Sequence, residues 1–148
     1  SSPSALPRIL QRSSRMSCRA AGDGDPLEPG QILVAPPDRH LVVEDSHVCL
    51  SVGPRENGHR PAIDALFRSA AMERDGRVIG VVLSGSLDDG SKGLAAIAHA
   101  GGTTMVLTKE GVAQHGMPEN AAAYDRPIDA LGSAKTIARE IVRRLEHR

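Results

Sequence analysis

At 148 residues the chain is long enough for one domain with a real core and too short for two ordinary ones. Lys plus Arg equals Asp plus Glu at 18 each, so no net field draws it to nucleic acid or to an anionic membrane. Trp is absent and Phe67 and Tyr124 are the sole aromatics, which argues against base-stacking nucleic-acid modules and leaves the core to Val, Ile, Leu and Ala.

Cys18 and Cys49 do not make a disulfide framework, and no Cys/His cluster has metal spacing, so no metal or other cofactor is expected. No apolar run approaches the ~20 residues that span a bilayer. A reduced cytoplasm is the expected compartment. The first residue is Ser rather than Met, as in a fragment or an incomplete reading frame.

Residues 1–30 read as a polar, breaker-rich lead-in, with residues 31–148 as the main body. Arg8, Arg12, Arg15 and Arg19 would share one face of a helix. Arg- and Ser-rich, acid-poor N-termini occur in transit peptides. A solvated helix face is the plainer reading, since Leu6, Ile9 and Leu10 make a weak apolar stripe. Gly22 to Gly30, with Pro26 and Pro29, reads as a loop.

Ile32 to Ala35, closed by Pro36-Pro37, reads as a strand. His40 to Val43 and His47 to Val52 flank Glu44-Asp45-Ser46 and predict a hairpin. After a loop holding Gly53, Pro54, Asn57 and Gly58, Pro61 is expected to open a helix that ends before Asp75-Gly76. Its apolar face would be Ile63, Leu66, Phe67, Ala70 and Ala71. Val78 to Leu83 is nearly all apolar, as in a central strand of a parallel sheet covered on both faces. Leu94, Ile97 and Ala98 mark a second helix, stopped by Gly101-Gly102, and Thr103 to Leu107 is a further strand. Strand, helix and strand fit the ~30 residues of a βαβ unit. A last helix is expected from about Ser133, with Ile137, Ile141, Val142 and Leu145 on one face. The class is α/β, a doubly wound and mostly parallel sheet with an antiparallel hairpin.

Sites in such sheets lie beyond the carboxyl ends of the strands. There, after Val78 to Leu83, stand Asp88 and Asp89. One reading makes an Asp the cap of the following helix. The other makes it orient a catalytic group. His47, His99 and His147 sit in polar or terminal contexts. His40 and His59 lie at loop junctions, and His115 in a loop. Neither G-x-S-x-G nor G-x-G-x-x-G occurs, so the chain has no nucleophile elbow and no dinucleotide fingerprint.

Several motifs nonetheless stand in order. Leu83 to Gly90 with Gly93-Leu94 resembles the LTG-x-x-x-DG-x-x-GL motif of the CheB methylesterase family. Ile32 to His40 resembles its APxxxH strand, and His59-Arg60-Pro61 through Phe67 its HRP-S-V-D-x-LF helix. Gly101-Gly102-Thr103 resembles its AGG turn, and Gly116-Met117-Pro118 with Ala121 its GMPxxA segment. The resemblance implies a doubly wound hydrolase domain with a Ser-His-Asp triad. Such a domain demethylates glutamate methyl esters on the cytoplasmic helices of chemoreceptors and deamidates certain glutamines.

Asp89 then holds the triad-Asp position and Asp88 becomes the cap or a surface residue. Asp89→Asn is expected to cut turnover with the fold intact. Ser86, His59, Arg60 and Met117 would line the substrate pocket. The family's G-A-S-x-G-G and Q-H-M-P motifs precede the equivalent of Leu6. The resemblance therefore makes the chain the C-terminal part of that domain, without its Ser and His, and it places a receiver domain further upstream in full members. Ser86-Leu87 departs from the Met-Gly of well-known members. The rival readings are a non-catalytic module that binds receptor helices and a generic ligand-binding fragment.

Overall fold

The computed structural model describes residues 4–74, 76–83, 89–108 and 128–146. The elements in chain order are α1 (Leu6–Ser13), β1 (Ser17–Ala20), β2 (Gln31–Val34), β3 (His40–Glu44), β4 (His47–Ser51), α2 (Ile63–Arg74), β5 (Ile79–Val82), α3 (Ser91–His99), β6 (Thr103–Leu107), β7 (Ala130–Gly132) and α4 (Ala134–Glu146).

The lead-in is more ordered than its composition implies. Helix α1 stops at Ser13, so the expected four-arginine face does not form. Arg8 and Arg12 lie on the helix and Arg15 beyond it, while Arg19 belongs to β1 and pairs with Asp25 at 2.6 Å. Strand β1 lies parallel to β2, with Ser17 opposite Gln31 and Ala20 opposite Val34.

The predicted hairpin forms. Strands β3 and β4 pair antiparallel around Asp45 and Ser46, whose φ values of 53° and 63° suit a tight two-residue turn. Both outer edges of this hairpin are covered. Ser69 Oγ accepts the Val43 N–H at 2.9 Å and Glu73 the Asp45 N–H at 3.0 Å. These two residues, one turn apart on α2, close the edge of β3. On the other side Val48 N–H donates to Asp25 O, and Leu50 N–H to the Asp23 carboxylate.

Strands β5, β6 and β7 form a parallel sheet in that order. The βαβ unit β5-α3-β6 forms as expected. The central strand is β6, however, and β5 is an edge among the described strands, contrary to the reading of Val78 to Leu83 as central. An all-apolar run reports cover on the two faces of a strand and says nothing of its hydrogen-bonding edges. Helices do cover both faces. Val82 and Val106 pack with Leu94 and Ala98 of α3, and Met105 packs with Ile137 of α4.

Helix α2 joins this sheet to the hairpin. Its Ile63 and Phe67 pack on the α3 cluster, and its Leu66 on Leu41 and Val48. Gly93 lets the two helices close up, since a Cβ there would sit 2.5 Å from Phe67 Cβ. Pro61 lies ahead of α2 rather than at its first position, and the Arg60–Pro61 bond is cis. Helix α3 ends in Gly101 N–H to Ala98 O and Gly102 N–H to Ile97 O, a Schellman closure. Ser133 caps α4, accepting the Thr136 N–H on its hydroxyl at 3.3 Å. Of the expected α4 face only Ile137 is buried, and Val142 and Leu145 are exposed.

Candidate functional site

The helix-forming segments 63–74 and 91–99 begin with no capping side chain of their own. Gly90 occupies the N-cap of α3 and supplies no side chain, and Ala62 precedes α2. The first N–H groups of a helix need acceptors wherever water is excluded. The fold satisfies them by exchange between the helices.

Asp89 follows the carboxyl end of β5 and is 7 % exposed. Its Oδ2 accepts the Ile63 N–H at 2.7 Å and its Oδ1 the Asp64 N–H at 2.9 Å. Asp64 returns the arrangement. Its Oδ1 accepts the Gly90 N–H at 3.0 Å and the Gly93 N–H at 2.8 Å. Asn57 Nδ2 donates to the other oxygen of Asp64 at 2.8 Å. Each carboxylate thus lies at the positive end of the opposite helix, where negative charge is favoured. Capping and site geometry fall on the same residue. Asp89 is a cap, but of α2 rather than of its own helix.

Each oxygen of a carboxylate has two lone pairs. Among the described residues one N–H reaches each oxygen of Asp89, which leaves acceptor capacity, and the two bonds fix the orientation of the carboxylate.

The other candidates fall elsewhere. Ser86 and Met117 lie outside the described residues, as do Asp88, His115 and His147. His59 is exposed, where the Asn57-Gly58 turn returns: Glu56 and His59 exchange two backbone hydrogen bonds of 2.9 Å. The guanidinium of Arg60 is committed to Asp38, at 2.6 Å and 3.0 Å, and to the Gly53 carbonyl at 3.2 Å. It ties the turn after β2 to the loop after β4. The Arg60 guanidinium beside Asp38 holds that carboxyl below its ordinary range.

His40 is buried, yet both its nitrogens are used. Nδ1 accepts the Ala62 N–H at 3.3 Å and Nε2 lies 2.7 Å from Pro54 O, which requires the Nε2–H tautomer. It is a neutral third acceptor for the start of α2. Sequence reasoning missed the roles of His40, Asn57 and Asp64. The Asn-Gly dipeptide signals a type I′ turn, but nothing local to it points at Asp64.

A hollow of about 560 Å³ lies between the hairpin and α2, lined by His40, Glu56, Arg68, Ser69 and Glu73 among others. Arg68 lies 2.8 Å from Glu56 there, while Ser69 and Glu73 accept backbone N–H groups of the β3 edge. Among the described residues no cluster of three or more His, Cys, Asp or Glu could hold a metal ion.

Comparison with known proteins identifies the family. The family model described as CheB methylesterase matches residues 1–141. A protein-glutamate methylesterase/protein-glutamine glutaminase of Rhizobium johnstonii is 32% identical over 142 residues, covering 93% of this chain and 39% of its own length. One from Anaeromyxobacter dehalogenans is 39% identical over 130 residues, covering 84% of this chain and 38% of its own length. The chain thus spans about two-fifths of these relatives. The crystal structure of the CheB methylesterase catalytic domain of Thermotoga maritima superposes with a TM-score of 0.81 at 29% identity, covering 94% of this chain and 75% of that one. With its family model, its relatives and its fold in agreement, the chain belongs to the CheB methylesterase family.

Proposed function

We propose that the chain is the C-terminal part of a protein-glutamate methylesterase domain, a carboxylic-ester hydrolase with Asp89 as its triad carboxylate. The observation that carries this is the fixed Asp89 carboxylate, buried beyond the carboxyl end of β5 with acceptor capacity left. The relatives are named for both demethylation of glutamate and deamidation of glutamine. Both reactions displace a small leaving group, methanol or ammonia, from a side-chain acyl carbon.

Asp89 orients the imidazole of a His and stabilises its cation while a Ser hydroxyl attacks that carbon. The family's Ser and His motifs do not occur in this chain. Residues 1–30 form part of the same domain as residues 31–148. The substrates are methylated cytoplasmic helices of chemoreceptors, and the protein works in the cytoplasm. Among the described residues no helix is long and apolar enough to cross a membrane. Ser86, His59 and Met117 remain the candidates for the pocket wall, while Arg60 serves the loops beside it.

The test is Asp89→Asn in the complete protein, read as methanol release from methylated receptor. Turnover should fall about 10⁴-fold, as when a triad carboxylate is neutralised. Near-full activity would overturn the assignment.

A further inference from the structure

We infer that Asp64, steered by Asn57, is a positioning residue for Asp89; this rests on the reading of Asp89 as the triad carboxylate. Asp64 grips Asp89 from two sides. Its backbone N–H donates to the Asp89 carboxylate at 2.9 Å. Its own carboxylate accepts the N–H of Gly90, 26 residues away, in the peptide unit that joins Asp89 to α3. Side chain and main chain of the catalytic position are therefore referred to one group. The grip is tight because Asp64 has no exposure to solvent. Gly90 is held at φ 129°, where a Cβ would meet Val82 Cγ2 at 3.1 Å.

The N-cap of α3 is a glycine whose Cβ would meet Val82, so its acceptor must come from another element, and a neutral polar group would suffice as a cap. Here the cap is a fully buried carboxylate brought from another helix, and burying a carboxylate is costly unless it is well paired. Among the described residues three donors reach Asp64: Gly90 N, Gly93 N and Asn57 Nδ2. Asn57 is the one exposed residue of the three and the point at which the grip can be loosened gently. It sits at φ 54° beside Gly58, so Asn57→Gly keeps the turn's conformation and deletes only the amide donor. Asn57→Asp also tolerates that φ and puts a second negative charge against Asp64.

The experiment uses the complete esterase, with kcat and KM measured per active site and the thermal midpoint recorded for each variant. Asn57→Gly should lower kcat about 10-fold when assayed well below its midpoint, with KM near the parent value and a lowered midpoint from the lost hydrogen bond to Asp64, because a slightly misaimed group loses rate before binding. Asn57→Asp should lower kcat further. Asp89→Asn serves as the reference. If it is inactive while both Asn57 variants keep parental kcat, the triad reading stands and the positioning role is overturned. If kcat falls only in step with a falling midpoint, Asp64 is purely structural and the inference fails. If Asp89→Asn itself is active, the underlying reading fails and the inference with it.

Discussion

Asp89→Asn tests the cap and the catalytic role together, because the two are read by different assays. The carboxylate offers an oxygen to each of two N–H groups, those of Ile63 and Asp64. The amide has one oxygen, so its NH₂ must face one of those donors. The loss is one charge-assisted hydrogen bond, about 1.5–3 kcal/mol. The negative charge at the start of α2 goes too, worth about 0.3–1 kcal/mol. Together these amount to about 2–4 kcal/mol from a domain margin of about 5–15 kcal/mol. With a urea slope of ~2 kcal/mol/M, the midpoint should fall by about 1–2 M. The lowest margins would leave about 1 kcal/mol and the others several, so the mutant is expected to stay folded without urea, and turnover is compared per folded molecule. A urea midpoint within about 0.2 M of the parent would refute the capping geometry. Asp89→Ala, which removes both acceptors, must cost at least as much; a smaller loss would also count against it.

Gly93→Ala should destabilise by about 1–3 kcal/mol in urea unfolding, because the new methyl meets Phe67 Cβ at 2.5 Å; equal or greater stability would show that α2 and α3 do not approach so closely. The Asp38 carboxyl should titrate below its ordinary value, since Arg60 donates to it. A lowered folded-state pKa means that this linked stability is present above the unfolded-chain pKa and is lost as pH falls through the folded value. In Arg60→Met the carboxyl ¹³C titration midpoint of Asp38 should rise toward the ordinary value, and an unchanged midpoint would rule out the contact. Residues 1–148 alone should release no methanol from methylated receptor, since an orienting carboxylate cannot replace the attacking hydroxyl or its base. Release would require another nucleophile, with Ser86 the first residue to mutate.

The family, the α/β class, the hairpin, the βαβ unit and the position of Asp89 were legible in the sequence, because each is carried by local pattern. Period and turn chemistry act within a few residues: Asp45-Ser46 between β-prone runs, Gly101-Gly102 after Ala98, and Leu94, Ile97 and Ala98 on one helix face. Less legible were the short strands β1 and β7, which are only four and three residues long. The end of α1 at Ser13 was also missed, because the arginine spacing continues past the helix.

What Asp89 touches was decided by tertiary structure alone. Motif order marks an Asp before Gly90, but periodicity cannot say which helix that Asp caps. The answer depends on α2 and α3 meeting at Gly93 and Phe67, and on two helix starts converging beyond β5. Asp64 looks, in sequence, like an ordinary acidic residue in a first turn. Only packing makes it a fully buried acceptor for three donors, since its partners at Asn57, Gly90 and Gly93 are brought together by the fold and not by spacing.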